Sequence, residues 1–357
     1  MTTKDGSYTY TEIFSQPEIW LDAIASFHQA SEALKVLWDQ GGFDSVLFTG
    51  CGSTYYLAHV GATLFQQMTG INARAYPASE IVLFPDLVFP SSNNPLLITV
   101  SRSGETTETV EAVRSFRKHS QNPMITVTCG SNSTLAKQAD LVFAIDKAQE
   151  TSLAQTRSFA SMLIVIQAIA AFAAGHHDLD TLNRLPSVAT HLLTNYHTLA
   201  QMLGEDKQIE RFFFLGSGTL FGIASEGMLK MKEMSLSYSE AFHMLEFRHG
   251  PMSMVDDHTL IIGLISEEAH VQEASVLRQM KQRGAQILAI AEDDYQLEFE
   301  SWSHFVNLNS GLPRWARPVA YLPVMQVMAY YRALSNGQNP DQPANLTFVI
   351  SLDESMT

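Results

Sequence analysis

The stretch Ser45–Thr54, SVLFTGCGST, is a short apolar run that ends in a glycine-rich turn and leads into a helical pattern. A second stretch, Arg211–Thr219 (RFFFLGSGT), has the same design, and aligning Gly50 with Gly216 places the two in register. Short buried strands that alternate with helices indicate an α/β fold with a doubly wound, mainly parallel sheet. Because the pattern occurs twice, the sequence predicts two tandem domains, each with its own sheet flanked by helices.

The strands that follow repeat in the same order. Leu96–Ser101 corresponds to Leu260–Ser266, and Met124–Thr128 corresponds to Gln286–Ile290, with helical patterns between them. The repeat predicts that the second copy begins near residue 200. A long helical stretch, from residue 158 to about residue 204, is predicted to link the two halves.

The composition is that of an acidic globular protein. The 357 residues are 46% hydrophobic and 17% charged, and the formal net charge is −15. Such a chain repels polyanions, which argues against nucleic acid as a partner. Cys51 and Cys129 belong to no metal-binding or disulfide spacing, which suits a cytoplasmic protein. Residues 1–16 lack an apolar signal core, and the longest apolar run, residues 162–174, is too short to span a bilayer.

Two loops of the first half have the composition of a phosphate cradle. Loop 50–54 (GCGST) and loop 101–107 (SRSGETT) each follow an apolar strand and open a helix. A helix N-terminus offers free N–H groups and a partial positive charge, and glycine lets the backbone approach an anion closely. The predicted phosphate ligands are Gly52, Ser53, Thr54, Ser101, Arg102, Ser103 and Thr106. The alternatives are that the hydroxyl residues are ordinary helix caps and that Arg102 is simply exposed.

The second half lacks one of these loops. After its second strand it has Ser266–Ala269 (SEEA), with two carboxylates and no glycine. Only the first half is therefore expected to bind an anion at this position. The asymmetry predicts one active site per pair of domains.

A helical pattern in the second half carries three charged residues on one face. Glu226, Lys230 and Glu233 are spaced four and three residues apart. They are candidates for acid/base chemistry, or they form solvated ion pairs. The segment Glu246–Pro251 (EFRHGP) follows and places His249 in a loop, where an imidazole suits proton transfer near neutral pH. Spacing alone does not choose among His249 and its neighbours His243 and His258.

These motifs together resemble the tandem sugar isomerase (SIS) domain proteins. That family includes the isomerase half of glucosamine-6-phosphate synthase, the SIS-type glucosamine-6-phosphate deaminases and the fructosamine-6-phosphate deglycases. The resemblance rests on G-C-G-S, S-x-S-G-E-T, L-K-x-K-E-x-S, E-F-R-H-G-P and the C-terminal Asp341–Leu346, and it covers residues 17–352. It implies an N-terminal helical segment (1–30), a first SIS domain with the phosphate loops (31–195) and a second with the catalytic helix and the C-terminal tail (196–357).

The resemblance also implies roles for single residues. Glu233 matches the base that moves a proton between C1 and C2 of the sugar, and Lys230 matches a lysine that lines the sugar site. His249 matches a histidine that assists ring opening and that comes from the neighbouring subunit of a homodimer. Leu153 and Gln155 fall in a segment that contacts the sugar. No metal or organic cofactor is implied, because proton transfer beside a carbonyl does not require one.

Two departures from the synthases bear on the reaction. A glutaminase domain, which begins with a nucleophilic cysteine, is expected to be absent, since Met1–Lys4 contains no cysteine. Phe348 stands where the synthases have a lysine that captures the sugar. Both departures predict the catabolic direction, in which glucosamine 6-phosphate, or a related amino-hexose phosphate, becomes fructose 6-phosphate and ammonia.

Three other functions remain open at this point. A fructosamine-6-phosphate deglycase shares E-F-R-H-G-P, although the tail Asp341–Leu346 favours the deaminase. A plain aldose/ketose phosphate isomerase needs the same proton shuttle. A non-catalytic sugar-phosphate sensor is the alternative from another class, but the chain has no basic DNA-binding segment.

Overall fold

The structure is a computed structural model and describes residues 5–89, 94–176, 178–293, 295 and 302–347. Backbone proximity divides the chain into two compact units. The first is built from Glu18–Glu150 and Arg157–Asn183, and the second from Thr151–Thr156, Arg184–Leu346 and the N-terminal residues through Pro17. The domain bounds drawn from the sequence stay a prediction. The short segment 151–156 belongs to the second unit although the first unit surrounds it in sequence.

The first unit contains a five-stranded parallel sheet with the spatial order β2-β1-β3-β4-β5. The strands are β1 (Ser45–Gly50), β2 (Asn72–Pro77), β3 (Pro95–Ser101), β4 (Met124–Thr128) and β5 (Leu141–Ala144). The helices are α2 (Gln16–Gly41), α3 (Ser53–Thr69), α4 (Ala78–Leu83), α5 (Pro85–Val88), α6 (Thr107–His119), α7 (Thr134–Gln138) and α8 (Arg157–Ala173). Strands β1, β3 and β4 are buried along their whole length, as is typical of parallel strands that are covered on both faces.

The second unit repeats this architecture with the order β10-β9-β8-β6-β7, again all parallel. Its strands are β6 (Arg211–Gly216), β7 (Tyr238–His243), β8 (Thr259–Leu264), β9 (Gln286–Ala291) and β10 (His304–Asn307). Its helices are α1 (Ser7–Phe14), α9 (Leu185–Asn195), α10 (His197–Glu205), α11 (Thr219–Ser235), α12 (His270–Gln282) and α13 (Leu322–Ser335). The core on one face packs Phe213, Ile261 and Ile287 of the sheet against Leu277 and Met280 of α12.

The prediction of two mainly parallel sheets flanked by helices is confirmed. The prediction of one long helical stretch from residue 158 to residue 204 is wrong in detail. Helix α8 ends at Ala173, and Gly175 follows with a left-handed φ of 79°. The chain then forms a 3-10 turn, Leu179–Arg184, and two separate helices, α9 and α10. Glycine adopts positive φ at little cost, so it allows the chain to turn where the helical pattern continues.

Across the described residues, no helix has both the length and the apolar character that crossing a membrane requires. The same residues contain no group of three or more histidine, cysteine, aspartate or glutamate side chains that could hold a metal ion.

Candidate functional site

The two predicted phosphate loops leave the same edge of the first sheet. Strand β1 pairs with β3, with Thr49 opposite Thr99, so loop 50–54 and loop 101–107 follow neighbouring strands. Helix α3 begins at Ser53 and helix α6 begins at Thr107, directly after these loops. Strand order reverses between β1 and β3, and open α/β sheets bind ligands beyond the carboxyl ends of the strands at such a reversal. Both loops therefore leave the sheet side by side at the edge where an anion is expected, and their binding of phosphate stays a prediction.

The hydroxyl of Thr54 closes its own turn. Its Oγ1 accepts a hydrogen bond from Cys51 N (2.9 Å) and donates one to Cys51 O (2.9 Å). Ser53 is buried beside it, and Gly52 precedes α3 with a positive φ of 54°. The proton of Thr54 is thus used within the loop, as the helix-cap alternative expects, and its contact with phosphate stays a prediction.

Ser101 and Ser103 keep more of their hydrogen-bonding capacity. The Ser101 Oγ accepts from Gly104 N (3.1 Å), and the Ser103 Oγ accepts from Glu105 N (3.1 Å). A hydroxyl that accepts from the backbone still has its own proton to donate. Ser101 Oγ also lies 3.4 Å from Thr106 Oγ1. The loop thus presents hydroxyls that its backbone has already oriented.

Gly104 and Glu105 fold this loop onto the loop that follows β4. Gly104 has a φ of +66°, and a Cβ at this position would lie 2.1 Å from Ser133 Oγ. The Glu105 carboxylate accepts hydrogen bonds from Thr134 N (2.8 Å) and Thr134 Oγ1 (2.6 Å) at the start of α7. The glycine and glutamate of S-x-S-G-E-T therefore fix the shape of loop 101–107, a role that the motif alone did not reveal.

Replacing Gly104 with alanine tests whether this shape matters for binding. We expect Gly104→Ala to weaken binding of a sugar phosphate by about ten- to a hundredfold, because the new Cβ displaces Ser133 and so moves the loop that carries the predicted phosphate ligands. Titration calorimetry measures the affinity, and circular dichroism checks the fold. Gly70→Ala is the matched control, since Gly70 has a φ of +74° with no atom within 4 Å of a Cβ. Equal affinities of the two variants would contradict the expected role.

Arg102 is buried and its guanidinium faces a carboxylate. Its side chain is 6% exposed, and Nη1 lies 3.5 Å from Oε2 of the fully buried Glu150. Ser158, in the first turn of α8, donates its hydroxyl to the same carboxylate oxygen. The Arg102 carbonyl accepts from Cys129 N (3.0 Å). The alternative that Arg102 is exposed is therefore excluded, and the residue ties loop 101–107 to the start of α8.

Neither cysteine near these loops is activated. Burial raises the pKa of the Cys51 thiol to about 11, although a hydrogen bond with Thr109 opposes the shift. Burial raises the pKa of Cys129 further, and the negative charge of Glu150 adds to the effect. Since the thiolate is the reactive form, both side chains are inert thiols at neutral pH.

The three charged residues on one face of α11 contact one another in the second unit, and two of them are buried. Lys230 Nζ lies 2.6 Å from Glu233 Oε2 and 3.3 Å from Glu226 Oε1. The side chains of Lys230 and Glu226 are 1% and 0% exposed, whereas Glu233 is 19% exposed. The alternative of solvated ion pairs is excluded by this burial. Glu233 is the accessible member, so it can exchange protons with a bound molecule while Lys230 supplies positive charge beside it.

Two of the three candidate histidines, His243 and His249, lie at or after the carboxyl end of β7, whereas His258 lies at the opposite edge of the second sheet. His243 ends β7, and its ring stacks on Phe221 at 3.8 Å between centroids. His249 is exposed and follows the 3-10 turn Glu246–Arg248 after the same strand. His258 precedes β8 and bonds to the Gln208 carbonyl (2.9 Å), at the amino-terminal edge of the sheet. The structure thus separates His258 from the edge where ligands of parallel sheets bind.

The electrostatic surroundings of these histidines also differ. Burial lowers the pKa of His243, although Glu246 opposes the shift. The hydrogen bond to Gln208 and the charge of Asp257 raise the pKa of His258. His243 is therefore mainly neutral at pH 7.

Leu153 and Gln155, the predicted sugar contacts, are both partly exposed in the second unit. The Gln155 Oε1 atom is buried and meets no hydrogen-bond donor among the residues that the structure describes. Buried acceptors without a donor are rare in folded proteins, and a sugar hydroxyl would satisfy this one. The second unit thus contains Glu233, Lys230, His249, Leu153 and Gln155, and the first unit contains all the predicted phosphate ligands.

The C-terminal motif contributes an anchor that sequence reasoning missed. The Asp341 carboxylate accepts hydrogen bonds from Thr9 N (2.7 Å), Thr9 Oγ1 (2.8 Å) and Tyr8 N (3.2 Å). It therefore binds the first turn of α1, where a negative charge also suits the helix dipole. Phe348, which replaces the lysine of the synthases, lies outside the described residues.

Comparison with known proteins agrees with this architecture. The family model described as "SIS domain" matches residues 43–172 and 207–301. A glucosamine-6-phosphate deaminase from Thermotoga maritima is 27% identical with a TM-score of 0.78, and the match covers 97% of this chain and 100% of that one. A tagatose-6-phosphate ketose/aldose isomerase from Escherichia coli, 23% identical, has a TM-score of 0.84 over 96% of both chains and shares the fold.

A longer enzyme also matches. A glutamine–fructose-6-phosphate aminotransferase (isomerizing) from Methanothermobacter thermautotrophicus is 26% identical over 344 residues, which are 96% of this chain. The chain spans only 57% of the length of that relative, and 53% of a second aminotransferase, from Gluconobacter oxydans, to which it is 29% identical.

Proposed function

The chain belongs to the SIS domain family, and from this premise we propose that it converts glucosamine 6-phosphate, or a related amino-hexose phosphate, to fructose 6-phosphate and ammonia. The observation that carries the proposal is the accessible carboxylate of Glu233 in contact with the buried ammonium of Lys230. This pair supplies a base and a neighbouring positive charge, which proton transfer beside a carbonyl needs. The full-length likeness to a glucosamine-6-phosphate deaminase supports the choice of substrate.

The proposed reaction needs one carboxylate for two proton transfers. With the ring opened, Glu233 removes the proton from C2, and the electron pair moves toward the C1 carbonyl to form an enolamine. Glu233 then returns the proton to C1 while the nitrogen electron pair forms the C2–N double bond, and the nitrogen gives up one proton to the C1 oxygen, which leaves a hydroxyl at C1 and an imine at C2. Water adds to this imine and ammonia leaves, so one aminosugar phosphate and one water give one ketose phosphate and one ammonia.

Lys230 and the phosphate loops have supporting roles in this proposal. The ammonium of Lys230 stabilises the negative charge that develops on the C1 oxygen in the first transfer. The hydroxyls and N–H groups of loop 50–54 and loop 101–107 hold the phosphate. A held phosphate fixes the reacting carbons and so lowers the entropic cost of reaching the base.

His249 fits the ring-opening role in a homodimer. Its side chain is exposed after a turn that continues into Gly250, whose φ is 123°. We propose that it opens the sugar ring in the active site of the partner copy. Light scattering at assay concentrations tests this, because an active monomer would exclude a site shared between copies.

The assay for the reaction measures two products at once. Purified protein with glucosamine 6-phosphate is expected to release ammonia and fructose 6-phosphate in equal amounts. Formation of a ketose phosphate from an aldose phosphate without ammonia would instead indicate a plain isomerase. Release of a free amino acid from a glycated amino-acid phosphate, without activity on the amino sugar, would indicate a deglycase.

A further inference from the structure

The segment Thr151–Thr156, called the strap below, is held by a buried carboxylate of the N-terminal helix. Glu12, in α1, is 3% exposed. Its Oε1 atom accepts hydrogen bonds from Thr151 N (2.6 Å) and Ser152 N (3.3 Å), and its Oε2 atom accepts from the Ser152 hydroxyl. Hydrogen bonds to a charged acceptor are about twice as strong as those between neutral groups. Two successive residues of the strap are thus fixed to one side chain.

The remainder of the strap is bound at further points of the same unit. Leu153 N donates to the Asp341 carbonyl (3.0 Å). At the end of the strap, the Thr156 carbonyl accepts from Gln326 Nε2 (3.2 Å), and Gln326 accepts from Gln16 Nε2 (2.8 Å). Residues from both ends of the described chain therefore hold six residues from its middle.

Burial alternates along the strap. Ser152, Ala154 and Thr156 are buried, whereas Leu153 and Gln155 are partly exposed. The chain bends at residues 151–154 and again at residue 156, so the bends decide which side chains of the strap face inward. Glu12 binds an inward-facing residue, Ser152, and so fixes which side chains face outward.

We propose that Glu12 is a positioning residue that fixes the bent conformation of the strap and thereby presents Leu153 and Gln155 to the sugar. This inference rests on the proposed function, since it takes these two side chains as sugar contacts. It assigns a role to a residue that precedes both segments matched by the family model. Glu12 does not touch the substrate, and it acts through the strap.

The contacts of Glu12 indicate that residue 12 needs a side chain whose acceptor oxygens reach Thr151 N and Ser152 N. A glutamine could still accept from Thr151 N and Ser152 N through its carbonyl. Its amide could donate to the Ser152 hydroxyl, whose proton can turn to the Ala154 carbonyl at 3.3 Å. Aspartate keeps the charge but is shorter by one methylene, and methionine has similar volume with no comparable acceptor.

The test compares Glu12→Met, Glu12→Asp and Glu12→Gln. Loss of a positioned contact is expected to raise KM for glucosamine 6-phosphate about tenfold in Glu12→Met and Glu12→Asp, with kcat within about threefold. Glu12→Gln is expected to keep KM within about threefold of the parent. A merely structural role would lower the melting temperature without this ordering of KM. If Glu12→Met does not fold, the KM values of Glu12→Asp and Glu12→Gln still distinguish a positioning role from a merely structural one.

Glu292→Met is the matched control, because Glu292 holds another loop in the same way. Its carboxylate accepts from Ser310 N (3.3 Å), Ser310 Oγ (2.7 Å) and Gly311 N (2.7 Å). This variant is expected to lose stability as Glu12→Met does, but to keep the parent KM. An equal rise of KM in both variants would overturn the positioning role.

Hydrogen exchange separates this inference from the proposed function. Without any ligand, amides 151–153 are expected to exchange faster in Glu12→Met than in the parent or in Glu292→Met. If the parent does not turn over glucosamine 6-phosphate, the proposed function fails, and affinities for fructose 6-phosphate replace KM in the same comparison. Faster exchange of the strap with unchanged affinity would overturn the inference, whatever the reaction.

Discussion

Glu233→Gln is expected to lower kcat for glucosamine 6-phosphate about 10³-fold while KM and the fold stay close to those of the parent. The amide has almost the same shape as the carboxylate but cannot take a proton from C2. Its carbonyl oxygen can still accept from Lys230 Nζ, which is 2.6 Å from Glu233 Oε2 in the parent. The substrate should therefore still bind, and a product assay measures the loss of turnover.

Solvent-proton exchange makes this test specific for the first chemical step. Glu233 is partly exposed, so its carboxyl proton can exchange with solvent between the two transfers; in heavy water the parent should therefore introduce deuterium at C1, and Glu233→Gln should not. Glu226→Gln is the comparison, because Glu226 also contacts Lys230 but is 0% exposed and cannot reach a ligand directly. It is expected to lose much less activity than Glu233→Gln. Exchange that persists in Glu233→Gln would assign the base to another residue.

The sequence predicted the fold well because its strongest signals are local. Buried parallel strands have apolar runs on both faces, and β1, β3 and β6 end at glycine-rich or hydroxyl-rich turns that are readable from a few residues. The linking stretch was less predictable, since helical periodicity does not say where a chain turns. The positive φ of Gly175 sets that break.

The sequence identified the candidate residues of the site, but not which of them are buried or which distant residues they contact. Spacings of three and four residues are the same in exposed and buried ion pairs, so only the structure shows that Lys230 is buried. Glu105 bonds to a residue 29 positions away, and Glu12 bonds to one 139 positions away. Contacts between residues so distant in sequence depend on packing, which no local pattern encodes.

The burial of Lys230 leads to an expectation about stability as well as activity. Lys230→Met should lower the free energy of unfolding by about 3–5 kcal/mol, because it removes the cation that Glu226 and Glu233 both contact. Methionine fills a similar volume, so the loss reports the charges and not a cavity. Chemical denaturation followed by circular dichroism measures the difference.

The double variant Lys230→Met/Glu226→Gln tests the cause of that loss. In Lys230→Met the buried carboxylate of Glu226 no longer faces the lysine ammonium. Glu226→Gln removes that negative charge, so the double variant should regain most of the lost stability. Glu226→Gln alone should cost less, since Lys230 keeps its contact with Glu233. If the double variant is no more stable than Lys230→Met, the loss comes from packing and not from charge. If stability returns but turnover does not, the ammonium acts in the reaction itself, as its contact with Glu233 indicates.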